Sequence, residues 1–126
     1  GDQAGLSYLH IQDFTAGAAL ATESSDIINK SFEKDVIWKE GIGTTNLDFL
    51  FEKFGIQPNL IKIDVDGNEY KILQGGIKTF ETTKLRSVYI EMIENLPNYL
   101  KIKNFLLEYG FKLQYKNSEN QVWSRL

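Results

Sequence analysis

Apolar positions along the chain change period several times, and each change marks an element. Residues 6–11 alternate apolar and polar, which predicts a strand. Residues 12–34 mix Ala, Ser, Thr and Asp without a period, so loop with short helical pieces is expected there. Val36, Ile37 and Trp38 predict a second strand, flanked by charges as an edge strand often is. Thr45 and Asp48 have capping-box spacing, and Leu47, Leu50, Phe51 and Phe54 follow at helical intervals. Gly55 stops that helix and Pro58 lies in the loop beyond.

Leu60-Ile61-Lys62-Ile63-Asp64 is a short, mostly apolar strand ending in an acid. Gly67 follows, then a helix carrying Tyr70, Ile72 and Leu73 that restarts after Gly75-Gly76. Residues 87–92 read as another buried strand, and 97–109 as a helix stopped by Gly110. Phe111, Leu113 and Tyr115 alternate, 117–120 turn, and 121–124 close a hairpin. Strands alternating with helices predict an α/β sheet with crossover helices, whose chemistry sits beyond the C-terminal ends of the parallel strands. That rule points at residues 64–69 and 91–94. The expected strand order is 60–64, 87–92, 121–124, 111–115.

Composition narrows the function classes. A chain of 126 residues with 42% apolar and 25% charged residues suits one globular domain, residues 1–126. A net charge of −3 without a basic stripe argues against nucleic acid as a partner. The absence of cysteine removes disulfides, thiolate nucleophiles and Cys-based zinc sites, and fits a reducing, cytoplasmic setting. No apolar run is long enough to cross a bilayer and no signal peptide opens the chain, so no membrane partner is expected. Gly1 is not an initiator methionine, so the natural start is expected upstream of it.

The densest chemistry lies in Asp64-Val65-Asp66-Gly67-Asn68-Glu69. Grouped carboxylates hold a cation or an amine, or push one pKa upward for proton transfer. Structural duty competes with this: Asp66 as an N-cap with Glu69 as its capping-box partner would serve the helix that follows. Asp64 ends an apolar strand, where a purely structural acid is less expected. Glu91 closes the next strand, either lining a cleft or facing water. Lys62, inside an apolar strand, is expected to pair with a neighbouring acid. The lone His10 reads as a surface residue of an edge strand, and Trp38 and Trp123 as packing residues. Tyr99, Phe105, Tyr109 and Phe111 read as core.

Spacing excludes a calcium loop, because the acids follow a buried strand and no acid stands at the required later position. An apolar strand leading into Asp64-Val65-Asp66-Gly67 resembles the haloacid-dehalogenase phosphatases, where the first Asp attacks phosphate and the second serves as acid/base. That family completes a magnesium site with a later Asp, and this chain has none after Asp66. A wider resemblance spans nearly the whole chain. Gly1, Asp2 and Gly5 precede the first strand; Thr44-Thr45-Asn46-Leu47-Asp48 precedes a helix; residues 60–75 carry Ile-Lys-Ile-Asp-Val-Asp-Gly-Asn-Glu; and Val88 leads to a strand-end Glu91. In that order these blocks resemble the FkbM methyltransferases, with an inserted Asn46 as the small departure.

The FkbM resemblance implies a truncated Rossmann-like class I methyltransferase fold: a mixed sheet with crossover helices and a C-terminal antiparallel hairpin. It implies S-adenosylmethionine as cofactor and an oxygen of a small molecule or sugar as methyl acceptor. Asp64, Asp66 and Glu91 become the candidate catalytic residues, and Asp64, Gly67 and Glu69 the candidate cofactor contacts, with no metal. The strand and glycine-rich turn that grip the cofactor would lie upstream of Gly1, so weak cofactor binding and little or no activity are expected of this chain. The strand expected to pair with 60–64 is missing with them, so a homo-oligomer through that open edge, or the N-terminal segment folded over it, is expected. Gly41-Ile42-Gly43 imitates a dinucleotide fingerprint, but its third glycine position is Asn46, and it reads as a turn into the helix.

Overall fold

A computed structural model of the chain describes residues 1–12, 22–24, 36–65 and 67–125. Its elements run β1 (Gly5–Ile11), β2 (Thr22–Ser24), β3 (Trp38–Thr44), α1 (Leu47–Phe54), β4 (Leu60–Ile63), α2 (Glu69–Gln74), α3 (Ile77–Glu81), β5 (Ser87–Glu91), α4 (Tyr99–Glu108), β6 (Lys112–Asn117) and β7 (Asn120–Ser124). A three-stranded antiparallel sheet has the order β2-β1-β3, and a four-stranded mixed sheet has the order β4-β5-β7-β6. β4 and β5 are parallel, and the β6–β7 hairpin inserts its second strand beside β5. This is the order the sequence predicts.

One face of the mixed sheet makes the core. Ile61 and Ile63 stand beside Val88 and Ile90, which stand beside Trp123 and Gln121. Leu73, Phe80, Ile102, Phe105, Leu106 and Phe111 close over them, all buried. Phe80 is the hub, edge-on to Phe105 at 5.1 Å and to Phe111 at 5.8 Å. The helices that follow β4 and β5 lie on the same side of the sheet, since Leu73 and Phe80 share one core with Ile102, Phe105 and Leu106.

Several local expectations are corrected. The strand expected at 36–38 starts only at Trp38 and continues to Thr44, because it zips antiparallel to β1, Tyr8 opposite Gly41 and Leu6 opposite Gly43. Gly41-Ile42-Gly43 is therefore strand, not a turn. Residues 22–24, expected in loop, form a strand on the other side of β1. Asn46, not Thr45, caps α1: its Oδ1 accepts the Phe49 N–H at 2.7 Å. Asp48 is thereby released for a longer reach. Gly55 ends α1 in the left-handed conformation as expected (φ 65°). His10 is buried, not at the surface, because β1 is the central strand; its Nε2 has no partner among the described residues. Trp123 is core, whereas Trp38 is 54% exposed.

Arg125 closes the C-terminal end. Its guanidinium donates to the carbonyls of Leu85, Tyr109 and Thr82 and lies 4.6 Å from the Phe111 ring centroid. Thr82 and Tyr109 are the C-caps of α3 and α4, so one cation answers carbonyls left over at two helix ends. Desolvation lowers its pKa from the ordinary arginine value.

Candidate functional site

β4 ends at Ile63, so Asp64 is the first residue past the sheet. Lys62 and Asp64 point to the same side, and Lys62 Nζ meets Asp64 Oδ2 at 2.8 Å. This is the acid partner expected for Lys62. The hydrogen bond to Asp64, then its charge, raises the Lys62 pKa above the ordinary value. Both side chains are more than half exposed, so the pair orients Asp64 more than it stabilises the fold. Lys62 Nζ also lies 5.7 Å from the Tyr89 ring centroid.

The chain then turns at Gly67, whose φ of 95° suits only glycine without strain. The Gly67 N–H donates to Val65 O at 2.8 Å and to Glu69 Oε1 at 3.0 Å. Asp66 lies outside the described residues. The expected capping box is not formed as read: Asn68 is the N-cap of α2 and Glu69 its first residue, two positions too early to close the box. Glu69 is 8% exposed, a carboxylate buried where a helix begins, with its oxygen on the backbone of the turn. Its observed work is to hold that turn.

Glu91 ends β5, half-buried and opposite Asn120 of β7. The register pairs Ile63 with Ile90, so one step further brings Asp64 alongside Glu91 on neighbouring strands. Tyr89 shares the Glu91 face, and its hydroxyl donates to Asn120 Oδ1 at 2.7 Å. Sequence reasoning missed Tyr89 and Asn120. Tyr89 was within reach, since it sits two residues before Glu91 in an alternating strand. Asn120 was not, because only the hairpin register brings it to this edge. The structure thus joins Asp64, Glu91, Tyr89, Asn120 and Lys62 at one end of the sheet, with Gly67 and Glu69 shaping the turn beside Asp64. Among the described residues no group of three or more His, Asp or Glu is placed to hold a metal ion.

Acids at the ends of adjacent parallel strands, with crossover helices behind them, stand where open α/β sheets of the Rossmann-like class bind their ligands. The family model of the methyltransferase FkbM domain matches residues 6–113, and the chain belongs to that family. No curated protein and no solved structure matches the chain. The phosphatase reading gains no support from these comparisons. No helix among the described residues is long and apolar enough to cross a membrane.

Proposed function

We propose that the chain is part of an enzyme that moves a methyl group from S-adenosylmethionine to an oxygen of a small molecule or sugar, in the cytoplasm. The family match over residues 6–113 carries this reading. The polar end of the sheet supports it, because a hydroxyl acceptor needs a base and hydrogen-bonding partners around it. S-adenosylmethionine supplies the methyl group in this family.

The residues in hand fit the acceptor side of such a reaction and not the cofactor side. Gly41 and Gly43 lie within β3 and make no turn after a parallel strand, so they form no cradle for the cofactor. On the acceptor side, Asp64 or Glu91 takes the hydroxyl proton. Tyr89 and Asn120 fix the Glu91 edge, and the Lys62 ammonium holds the Asp64 carboxylate in place. The gain comes from positioning more than from new bonds to the protein. Asp66 remains a candidate for the cleft wall.

Transfer of label from methyl-labelled S-adenosylmethionine to hydroxylated acceptors, assayed with the natural full-length protein, is the test. Glu91→Gln is expected to lower kcat by about 10²-fold with little change in acceptor KM. Unchanged transfer in both Glu91→Gln and Asp64→Asn would remove this site from the reaction.

A further inference from the structure

We infer that the methyl acceptor carries hydroxyls on two neighbouring carbons, one held by the Glu91 carboxylate and the other by the Asn120 amide. This rests on the methyl-transfer reading for the acceptor's place at this end of the sheet, and goes further in naming what the acceptor presents there. The Met92 N–H donates to Glu119 O at 2.8 Å, so Met92 and Glu119 are a hydrogen-bonded pair continuing the β5–β7 ladder. Glu91 and Asn120, one step in, are then a non-hydrogen-bonded pair. Such a pair has its Cα atoms about 4.5 Å apart, with the side chains closer together than in its hydrogen-bonded neighbours. Tyr89 stands two residues before Glu91 on the same face and reaches Asn120 diagonally.

The direction of one hydrogen bond decides what this pair can hold. The Tyr89 hydroxyl donates to Asn120 Oδ1 at 2.7 Å, which engages the oxygen of the amide and points its NH2 group away from Tyr89. That group can only donate, and among the described residues nothing accepts from it. The Glu91 carboxylate is the converse, since it can only accept when ionised. Among the described residues it makes no ion pair, the nearby Lys62 ammonium being engaged by Asp64. Both side chains are half-buried, so each needs a partner once an acceptor excludes water from them. Two adjacent hydroxyls answer both: the first donates to Glu91, and the oxygen of the second accepts from Asn120. A single hydroxyl would leave one of the two without a partner. A phosphate or carboxylate would face both Glu91 and Asp64, with only Lys62 to offset them. An ammonium would suit Glu91 but set its own donors against those of Asn120.

Saturation-transfer NMR on the natural full-length protein tests this, with cyclohexane-1,2-diol, cyclohexanol and cyclohexylamine as probes. The diol is expected to bind about tenfold tighter than cyclohexanol, the worth of one further hydrogen bond to a half-buried group. Asn120→Asp keeps an acceptor for the Tyr89 hydroxyl and removes only the donor, so it should bring the diol-to-cyclohexanol ratio close to one. Tyr89→Phe frees the amide to turn over and should lower the same ratio while leaving cyclohexanol binding unchanged. Circular dichroism checks that both variants are folded, and a merely structural role would weaken all probes alike. Failure of the diol to bind, equal affinity for diol and cyclohexanol, or a ratio unmoved by Asn120→Asp overturns the inference. Cyclohexylamine binding tighter than the diol overturns it too, since the pair would then be a cation site. Methyl transfer from labelled S-adenosylmethionine is followed separately. Its absence beside an intact diol preference would sink the methyl-transfer reading alone, and equal transfer to diol and cyclohexanol would sink the diol alone.

Discussion

Asp48 and Thr79, thirty-one residues apart, are joined by two hydrogen bonds to a single carboxylate oxygen. Asp48 Oδ1 accepts the Thr79 N–H at 2.9 Å and the Thr79 hydroxyl at 3.0 Å, and Oδ2 accepts the Lys78 N–H at 3.0 Å. Those N–H groups are orphans of the first turn of α3. An acid that reads as part of its own helix's cap instead docks α1 onto α3.

Asp48→Ala is therefore expected to lose about 2 kcal/mol of stability, more than an ordinary cap, since three donors lose their acceptor and Thr79 is buried. Thr79→Val should lose about 1 kcal/mol. Urea unfolding of both single variants and the double variant reads the coupling. Strict additivity would mean that the two side chains do not act together.

Gly75 has an ordinary φ of −80°, so backbone strain does not explain its lack of a side chain. Space does. A Cβ there would run into Gly1 O and would lie 2.8 Å from Asn46 Cβ and 3.0 Å from Asp2 Cα. None of these is the end of a flexible side chain. Gly75→Ala should destabilise by about 1–3 kcal/mol through overpacking. Removing Gly1 and Asp2 from the variant should recover part of that loss in thermal melts. A variant as stable as the parent would show that the N-terminus does not sit against α2 in solution.

Glu94 is held below the ordinary carboxylate pKa by a hydrogen bond from Lys116, then by the lysine's charge. A carboxyl with a lowered folded pKa stabilises the fold above its unfolded pKa. That contribution disappears as pH falls through the folded value. Glu94→Gln should thus flatten the loss of stability on acidification at low salt, and added salt should shrink the difference, because both groups are exposed. Urea midpoints at neutral and acid pH, in the parent and the variant, give the comparison. Identical acid slopes at low salt would refute the pairing.

S-adenosylmethionine should bind residues 1–126 only at about millimolar concentration. Losing three ordinary hydrogen bonds of about 1.5 kcal/mol each weakens a complex by roughly three orders of magnitude. The glycine turn, ribose acid and adenine pocket expected of this family would account for more than that. Titration calorimetry checks it directly. A dissociation constant near micromolar would mean that these residues form a cofactor site by another route.

Much of the mixed sheet was legible because its signals are local. The apolar run into Asp64, the alternation through Glu91, the stops at Gly55 and Gly110 and the turn before Asn120 each act within a few residues. Asp64, Gly67, Glu69 and Glu91 were singled out as candidates from the same signals, and the ordered motif blocks pointed to the family. What escaped depends on partners far away in the chain. Gly41 and Gly43 have little strand propensity, yet they are strand because β1 lies across from them, more than thirty residues earlier. The same pairing put His10 inside a sheet. Asn120 reached Glu91 only through the hairpin register, Asp48 reached Thr79 only once α1 had folded over α3, and Arg125 found its three carbonyls only after two helices had ended beside it. Local period reports which side of an element wants burial. Which strand or helix end it meets there is decided by pairing and packing across the chain, and no short window of sequence contains that information.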